Sequence, residues 1–187
     1  MEVTAVVLAA GRSLRMGEQK LFMSVRGVPM IDRVLDACRD YETIVVSSPQ
    51  LAPHIAARPR LRVIENAKPE LGMAHSFDLA NGAIEPESAL LVFLGDKPLV
   101  TAELARTIVH AALEARADIC FPERDGIGGH PVFFSPHARS RVEVLSGDSL
   151  KVLRDDPALI RVAVQTADNG AFDDIDDPGA LRRHQGE

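Results

Sequence analysis

The stretch Leu8-Ala9-Ala10-Gly11-Arg12-Ser13-Leu14-Arg15-Met16-Gly17-Glu18-Gln19-Lys20-Leu21 decides the fold. The apolar run from Val3 to Leu8 just before it reads as a buried first strand. The chain then turns through small residues and two glycines, with Arg12, Arg15 and Lys20 spaced along the loop. Backbone N–H groups in such a loop can approach a triphosphate while fixed cations neutralise it. That is the arrangement of a nucleotide site at the carboxyl end of a strand in an α/β sheet. A strand-to-helix turn with solvated charges is the plain alternative. The familiar phosphate loops do not fit. Gly11 and Gly17 are too far apart for a Walker A loop, Lys20 comes late, and Leu21 stands where a hydroxyl would hold magnesium.

Working outward, strand-like and helix-like segments alternate. Residues 30–39 have helical spacing, with Ile31, Val34, Leu35 and Cys38 on one face. Residues 43–47 and 61–65 read as strands, 73–83 as a helix and 89–94 as a fully apolar strand. Residues 101–116 form the clearest helix, with Thr101 as N-cap and Glu103 in the first turn. Short strands are expected at 118–121, 131–134 and 160–164, and a short helix at 179–184. This alternation implies parallel β-α-β units in a three-layer α/β/α sandwich. With no repeat, low-complexity segment or linker, residues 1–187 are expected to form a single domain.

A net charge of −6 argues against general nucleic-acid binding but leaves room for a nucleotide held by a local cation cluster. Trp is absent and aromatic residues make up 4%, so no stacking platform for single strands is available. Cys38 and Cys120 lack C-x-x-C spacing and no signal peptide precedes them, which reads as free thiols in a reducing cytoplasm. No apolar stretch reaches membrane-spanning length, no H-E-x-x-H pattern points to zinc, and Ser13 lies in no G-x-S-x-G elbow.

Two acidic motifs stand apart. In Leu94-Gly95-Asp96-Lys97-Pro98 a carboxylate appears where a buried strand ends, so Asp96 could hold a Mg²⁺ ion bridging phosphates or merely form a turn. Lys97 could touch phosphate or face solvent. Near the C-terminus, Asp173-Asp174-Ile175-Asp176-Asp177-Pro178 crowds four carboxylates, which a nearby cation would stabilise; an acidic surface stretch is the alternative. Gly72 just before a helix, with Met73 and Ser76 in its first turn, suits the reading of a base or ribose. His75 reads as a surface or loop residue. Gly126 to Phe134 is a glycine-rich turn entering an apolar strand, in which His130 could be structural.

The first loop matches L-A-[AG]-G-x-S-x-R-M-G-x-x-K at every specified position and so resembles the MobA-like nucleotidyltransferase family. Gly-Asp-x-Pro at 95–98, Gly-His-Pro-Val at 129–132 and Asp-Ile-Asp-x-Pro at 174–178 follow in the family's order. The Leu-Ala-Ala-Gly and Gly-His-Pro-Val strings are similar to the molybdenum cofactor cytidylyltransferase branch. Departures are Lys97, Leu150 in place of a glycine after Gly147-Asp148, and Asp177 and Gly179 in the last motif. The resemblance implies a Rossmann-like, nucleotide-diphospho-sugar transferase-like fold with a mostly parallel sheet. It also implies transfer of CMP from CTP to the phosphate of a pterin-type molybdenum cofactor, with Mg²⁺.

By that resemblance Leu8, Ala9, Ala10, Gly11, Arg12, Ser13, Arg15, Lys20, Gly72, Met73, Ser76 and Asp96 bind the nucleotide. Lys20 and Arg15 carry charge stabilisation with Asp96, which is joined at the metal by Asp174 or Asp176. Gly129, His130, Pro131 and Asp148 meet the acceptor, and a molybdenum hydroxylase or its chaperone would receive the product. GTP use, another phosphorylated acceptor, or a non-catalytic nucleotide-binding regulator are the competing readings. Ala10 leaves less room for a purine than the glycine usual in guanylyltransferases. Sugar-phosphate nucleotidyltransferases have Met-Arg-Pro-Leu-Thr in the first loop, whereas Met16-Gly17-Glu18-Gln19-Lys20 stands here.

Overall fold

A computed structural model describes residues 1–11, 20–55, 57–141, 156–175 and 177–184. Arg12, Ser13, Arg15, Asp148 and Asp176 therefore lie outside the described residues. The strands are β1 (Val3–Ala9), β2 (Ser24–Val25), β3 (Val28–Pro29), β4 (Glu42–Ser47), β5 (Leu61–Glu65), β6 (Ala89–Leu94), β7 (Ile119–Arg124), β8 (Ile127–Gly128), β9 (Val132–Phe134) and β10 (Arg161–Gln165). The helices are α1 (Met30–Ala37), α2 (Gly72–Asn81), α3 (Ala102–Ala115), α4 (Pro136–Ser140) and α5 (Pro178–Arg183).

One eight-stranded sheet runs in the order β10-β7-β9-β6-β1-β4-β5, with β8 paired to β7. The β5, β4, β1 and β6 ladders are parallel, as is that of β7 and β10. β9 breaks the pattern: it lies antiparallel between β6 and β7, pairing Leu90 with Phe134 and Ile119 with Phe134. The chain order reverses between β1, which leads to β4, and β6, so the crevice at their carboxyl ends is the switch point where ligands bind in such sheets.

The period-two alternation of β1 divides the core into the two outer layers. Ala5, Val7 and Ala9 face one way, against Ile31, Val34 and Leu35 of α1 and Leu104, Ala105 and Ile108 of α3. Val6 and Leu8 face the other way, against Phe77 and Ala80 of α2 and Ala138 of α4. A separate small cluster joins Val25 and Met30 to Ile175, Ala180 and Leu181, which seats the C-terminal segment on the β2–β3 hairpin. That hairpin turns through Arg26 and Gly27, and β7–β8 through Asp125 and Gly126; all four have positive φ, as a two-residue type I′ turn demands.

Caps fix the helix boundaries. Thr101 accepts a hydrogen bond from the Leu104 amide and opens α3, and Arg116 closes it in the left-handed region. Asp177 accepts from the Gly179 and Ala180 amides at 2.6 and 2.9 Å, so the departure noted at that position supplies the N-cap of α5. Those backbone hydrogen bonds also hold the Asp177 carboxyl below its ordinary value. No helix among the described residues is long and apolar enough to cross a membrane.

Candidate active site

The site lies where β1 and β6 end. Ala9 and Ala10 are buried at the end of β1, and the Gly95 amide donates to the Leu8 carbonyl at 3.0 Å, tying the two strand ends together. After the loop the chain re-enters as a single 3₁₀ turn, Lys20–Phe22, whose Leu21 packs under Gly95. A Cβ on Gly95 would sit 3.2 Å from Leu21 Cδ1, tighter than ordinary contact, so the glycine permits the turn to close on β6. That approach brings Lys20 Nζ to 2.9 Å from Asp96 Oδ2. The other carboxylate oxygen, Asp96 Oδ1, is buried and has no hydrogen-bond partner among the described residues. A buried carboxylate oxygen is ordinarily satisfied by a protein group, a water or an ion.

Lys97 does not face solvent, one of the two expectations at this position; it is turned inward. Its side chain is 6% exposed, and its Nζ donates to the Phe172 carbonyl at 3.0 Å and pairs with Asp174 Oδ1 at 2.6 Å. Sequence reading could not give this, because Lys97 and Asp174 meet only through the docking of the C-terminal segment. Backbone contacts fix that docking: the Ile175 amide donates to the Asp96 carbonyl at 3.1 Å, and Ile175 is fully buried. Gly170 abuts Leu99 so closely that a Cβ there would lie 2.1 Å from the Leu99 carbonyl oxygen. The acidic cluster is thereby dispersed onto different partners. Asp174 faces Lys97, Asp173 lies 3.9 Å from His184 Nε2, and Asp177 caps α5.

The loop before β9 closes a third side. Because β9 runs antiparallel with Val132 opposite Val92, Gly129, His130 and Pro131 enter the sheet at its carboxyl edge, beside the turn that holds Asp96. The His130 amide donates to the Ala171 carbonyl at 3.0 Å, and a Cβ on Gly129 would lie 2.6 Å from that same oxygen. Burial pushes the His130 imidazole down to about 3, and the Lys97 ammonium adds to the effect. His130 is thus a neutral ring at physiological pH. The His130–Pro131 peptide bond is cis. Phe172 carries the Arg124 guanidinium 4.4 Å above its ring.

On the remaining side, Gly72 opens α2 at φ +85° and Met73 is 41% exposed. Ser76 is buried, and its hydroxyl accepts from Asn66 Nδ2 at 2.9 Å. Asn66, which follows β5 and had no motif to mark it, is fully buried; its Oδ1 accepts from the Lys68 amide and its own amide donates to the Ser47 carbonyl. It locks the ends of β4 and β5 to α2. His75 sits within α2, partly covered.

The structure therefore brings Ala9, Ala10, Lys20, Asp96, Lys97, His130 and Asp174 to one edge of the sheet. Among the described residues, two carboxylates and two ammonium groups form its charged centre, each carboxylate beside one lysine. No group of three or more His, Cys, Asp or Glu among the described residues could hold a metal ion. A divalent cation at Asp96 would thus complete its shell with oxygens from elsewhere, as Mg²⁺ does with phosphates and water.

Residues 5–162 match the family described as MobA-like NTP transferase domain, a span that takes in β1 from Ala5 onward, the cation loop, β6 and the Asp96 that follows it, and β9. Purine catabolism protein PucB of Bacillus subtilis is 28% identical over 92% of this chain and 91% of its own length. Rv0371c of Mycobacterium tuberculosis superposes with a TM-score of 0.81 at 24% identity, covering 97% of this chain and 96% of that one. A structure of Rv0371c in complex with manganese gives 0.76 at 22% identity, with 99% and 98% covered. Molybdopterin-guanine dinucleotide biosynthesis protein A of Archaeoglobus fulgidus gives 0.77 at 19% identity, with 97% and 96% covered. With the switch-point crevice, the lysine–aspartate pair within it and a family match over most of its length, the chain belongs to the MobA-like NTP transferase family and is a nucleotidyltransferase.

Proposed function

We propose that this nucleotidyltransferase moves CMP from CTP to the phosphate monoester of a pterin-type molybdenum cofactor, releasing pyrophosphate, with Mg²⁺ as its divalent cation. The observation that carries the reading is the pair Lys20–Asp96 at 2.9 Å with the second Asp96 oxygen buried and unpartnered. The donors fit the ion: Asp96 and Asp174 offer hard carboxylate oxygens, with Asp176 as the alternative second ligand, and the orphaned Asp96 Oδ1 is ready to coordinate. Bound there, Mg²⁺ supplies Lewis-acid polarisation of the phosphates and holds them in line.

The protein's own part is positioning and charge. A phosphate monoester is already ionised near neutral pH, so no general base is needed. An acceptor oxygen forms a bond to the α-phosphorus, the bond from that phosphorus to the bridging oxygen breaks, and pyrophosphate leaves with its electrons. Lys20, with Arg15 and Arg12, neutralises the triphosphate, and backbone groups from Leu8 to Ser13 cradle it. Gly72, Met73 and Ser76 line the base side. Gly129, the neutral His130 and Pro131, with Asp148, meet the acceptor.

Ala10 supports CTP: it is buried at the strand end, and a methyl group there would leave less room for a purine. Guanylyl transfer is the second reading, supported by the guanine in the name of the Archaeoglobus fulgidus protein. Pyrophosphate release is measured anaerobically with Mg²⁺, molybdenum-loaded pterin cofactor, and CTP or GTP. Release with CTP alone is expected. Release with GTP alone transfers the assignment to guanylyl chemistry, and silence with both, despite nucleotide binding, overturns the acceptor.

A further inference from the structure

Both carboxylates of the centre are matched by a lysine of the same chain: Asp96 by Lys20 at 2.9 Å, and Asp174 by Lys97 at 2.6 Å. Lys97 is the unexpected member. Its side chain is nearly buried, whereas that of Asp174 is about half exposed at 48%, so before any nucleotide binds the lysine is the fixed partner. The fixing is structural. Lys97 Nζ also holds the Phe172 carbonyl, the Ile175 amide holds the Asp96 carbonyl, and buried Ile175 anchors the segment. Among the described residues of the centre, two negative charges are thus matched by two positive ones.

We infer that Lys97 is a built-in counter-ion that competes with the divalent cation for Asp174, so that the metal enters as its complex with the nucleotide and not alone. The inference rests on the metal-dependent reading given above. Among these described groups, a free Mg²⁺ or Mn²⁺ ion meets no net negative charge and is repelled by the ammonium groups already seated on both carboxylates. The oxygen of Asp96 not already matched among them is Oδ1, and it is buried. A metal–triphosphate complex brings both halves of an exchange. Its cation replaces the ammonium groups at the carboxylates, and its phosphates receive the lysines so released. Ammonium–carboxylate pairs are traded for metal–carboxylate and ammonium–phosphate pairs, with no charge left unmatched. Lys97 thus holds Asp174 and the 172–175 segment in place before the complex binds and pairs with phosphate afterwards.

The test is direct binding of Mn²⁺, followed by loss of the free-ion electron paramagnetic resonance signal, with and without CTP. Three proteins are compared: wild type, Lys97→Met and Lys97→Gln. The glutamine retains a donor for the Phe172 carbonyl, so it guards against a folding defect in the methionine variant. Wild type is expected to bind Mn²⁺ weakly alone and strongly with CTP. Both variants are expected to bind Mn²⁺ alone about tenfold more tightly, since one repelling charge is gone, and to show a much smaller enhancement by CTP. Lys97→Arg, which retains the charge, should bind Mn²⁺ as wild type does. Unchanged or weaker Mn²⁺ binding by both neutral variants overturns the role of Lys97 while leaving the metal–nucleotide reading intact. Failure of wild type to bind Mn²⁺ even with CTP overturns that reading, and the counter-ion role with it.

Discussion

Asp96 and Lys20 are joined by geometry that neither residue could supply alone. Asp96 closes an apolar strand, and Lys20 returns after a loop because Gly95 lets Leu21 pack beneath it. The pair is partly open, at 29% and 15% exposure, so it adds little stability, and its removal is felt in the chemistry. Asp96→Asn and Lys20→Ala are expected to lower kcat by about 10²- to 10³-fold. The midpoint of thermal unfolding should fall by no more than about 4 °C. Steady-state pyrophosphate release and a melting curve check both halves; a folded variant with full turnover removes the residue from the mechanism. Two glycines make the complementary contrast. Gly170→Ala forces a Cβ onto the Leu99 carbonyl and should cost about 1–3 kcal/mol in a denaturant titration. Gly11→Ala meets nothing within 4 Å, so stability should hold while the KM for nucleotide rises, because the added methyl keeps phosphate from the backbone. Equal destabilisation of the two variants would contradict the role given to Gly11.

At the scale of elements, the signals in the sequence are local, and local features are what they predict. The apolar run at 89–94 and the mixed run at 61–65 became β6 and β5 with the expected bounds, and Thr101 caps α3 as its position before an apolar-periodic stretch predicts. The helix expected over 30–39 ends at Ala37, because Cys38 only closes the last turn onto the Leu35 carbonyl. What depends on distant partners was not legible. Antiparallel β9 looks like any short apolar strand, and only its neighbours set its direction. Arg139 belongs to the same class. No motif marks it in the sequence, yet on the short helix α4 it is 5% exposed. Its guanidinium donates to the Asn81 side chain and carbonyl and to the Glu85 and Ser88 carbonyls, closing the end of α2 and the turn into β6. Burial holds its pKa below the ordinary arginine value. Arg139→Met would preserve the stem but leave those acceptors unpaired, for an expected loss of about 3 kcal/mol. Urea unfolding measures it, and an unchanged midpoint would mean that water satisfies the carbonyls.

Across the whole molecule, the carboxyl edge of the sheet carries charges matched for exchange, while the opposite edge carries charges matched for permanence. Asp118, at the entry to β7, is 9% exposed and accepts from Ser135 Oγ at 2.8 Å, from the Ile160 amide at 2.9 Å and from His137 Nδ1 at 3.1 Å. One carboxylate thereby ties β7 to α4 and to β10. Burial alone would raise its pKa, but the Ile160, Ser135 and His137 hydrogen bonds and the charge of protonated His137 outweigh burial and hold it below 3.8. A carboxyl depressed in the folded state stabilises that state above its unfolded value, and the contribution fades as pH falls through the folded value. Wild type should therefore lose stability below about pH 4, partly through this group. Asp118→Asn cannot accept all three hydrogen bonds, so it should be less stable at neutral pH and lie closest to wild type in acid. Urea titrations of both proteins at about pH 7, 5 and 3.5 give the difference. A gap that narrows toward the lowest pH identifies Asp118 as the linked group, and a constant gap would show that its ionisation is not coupled to folding.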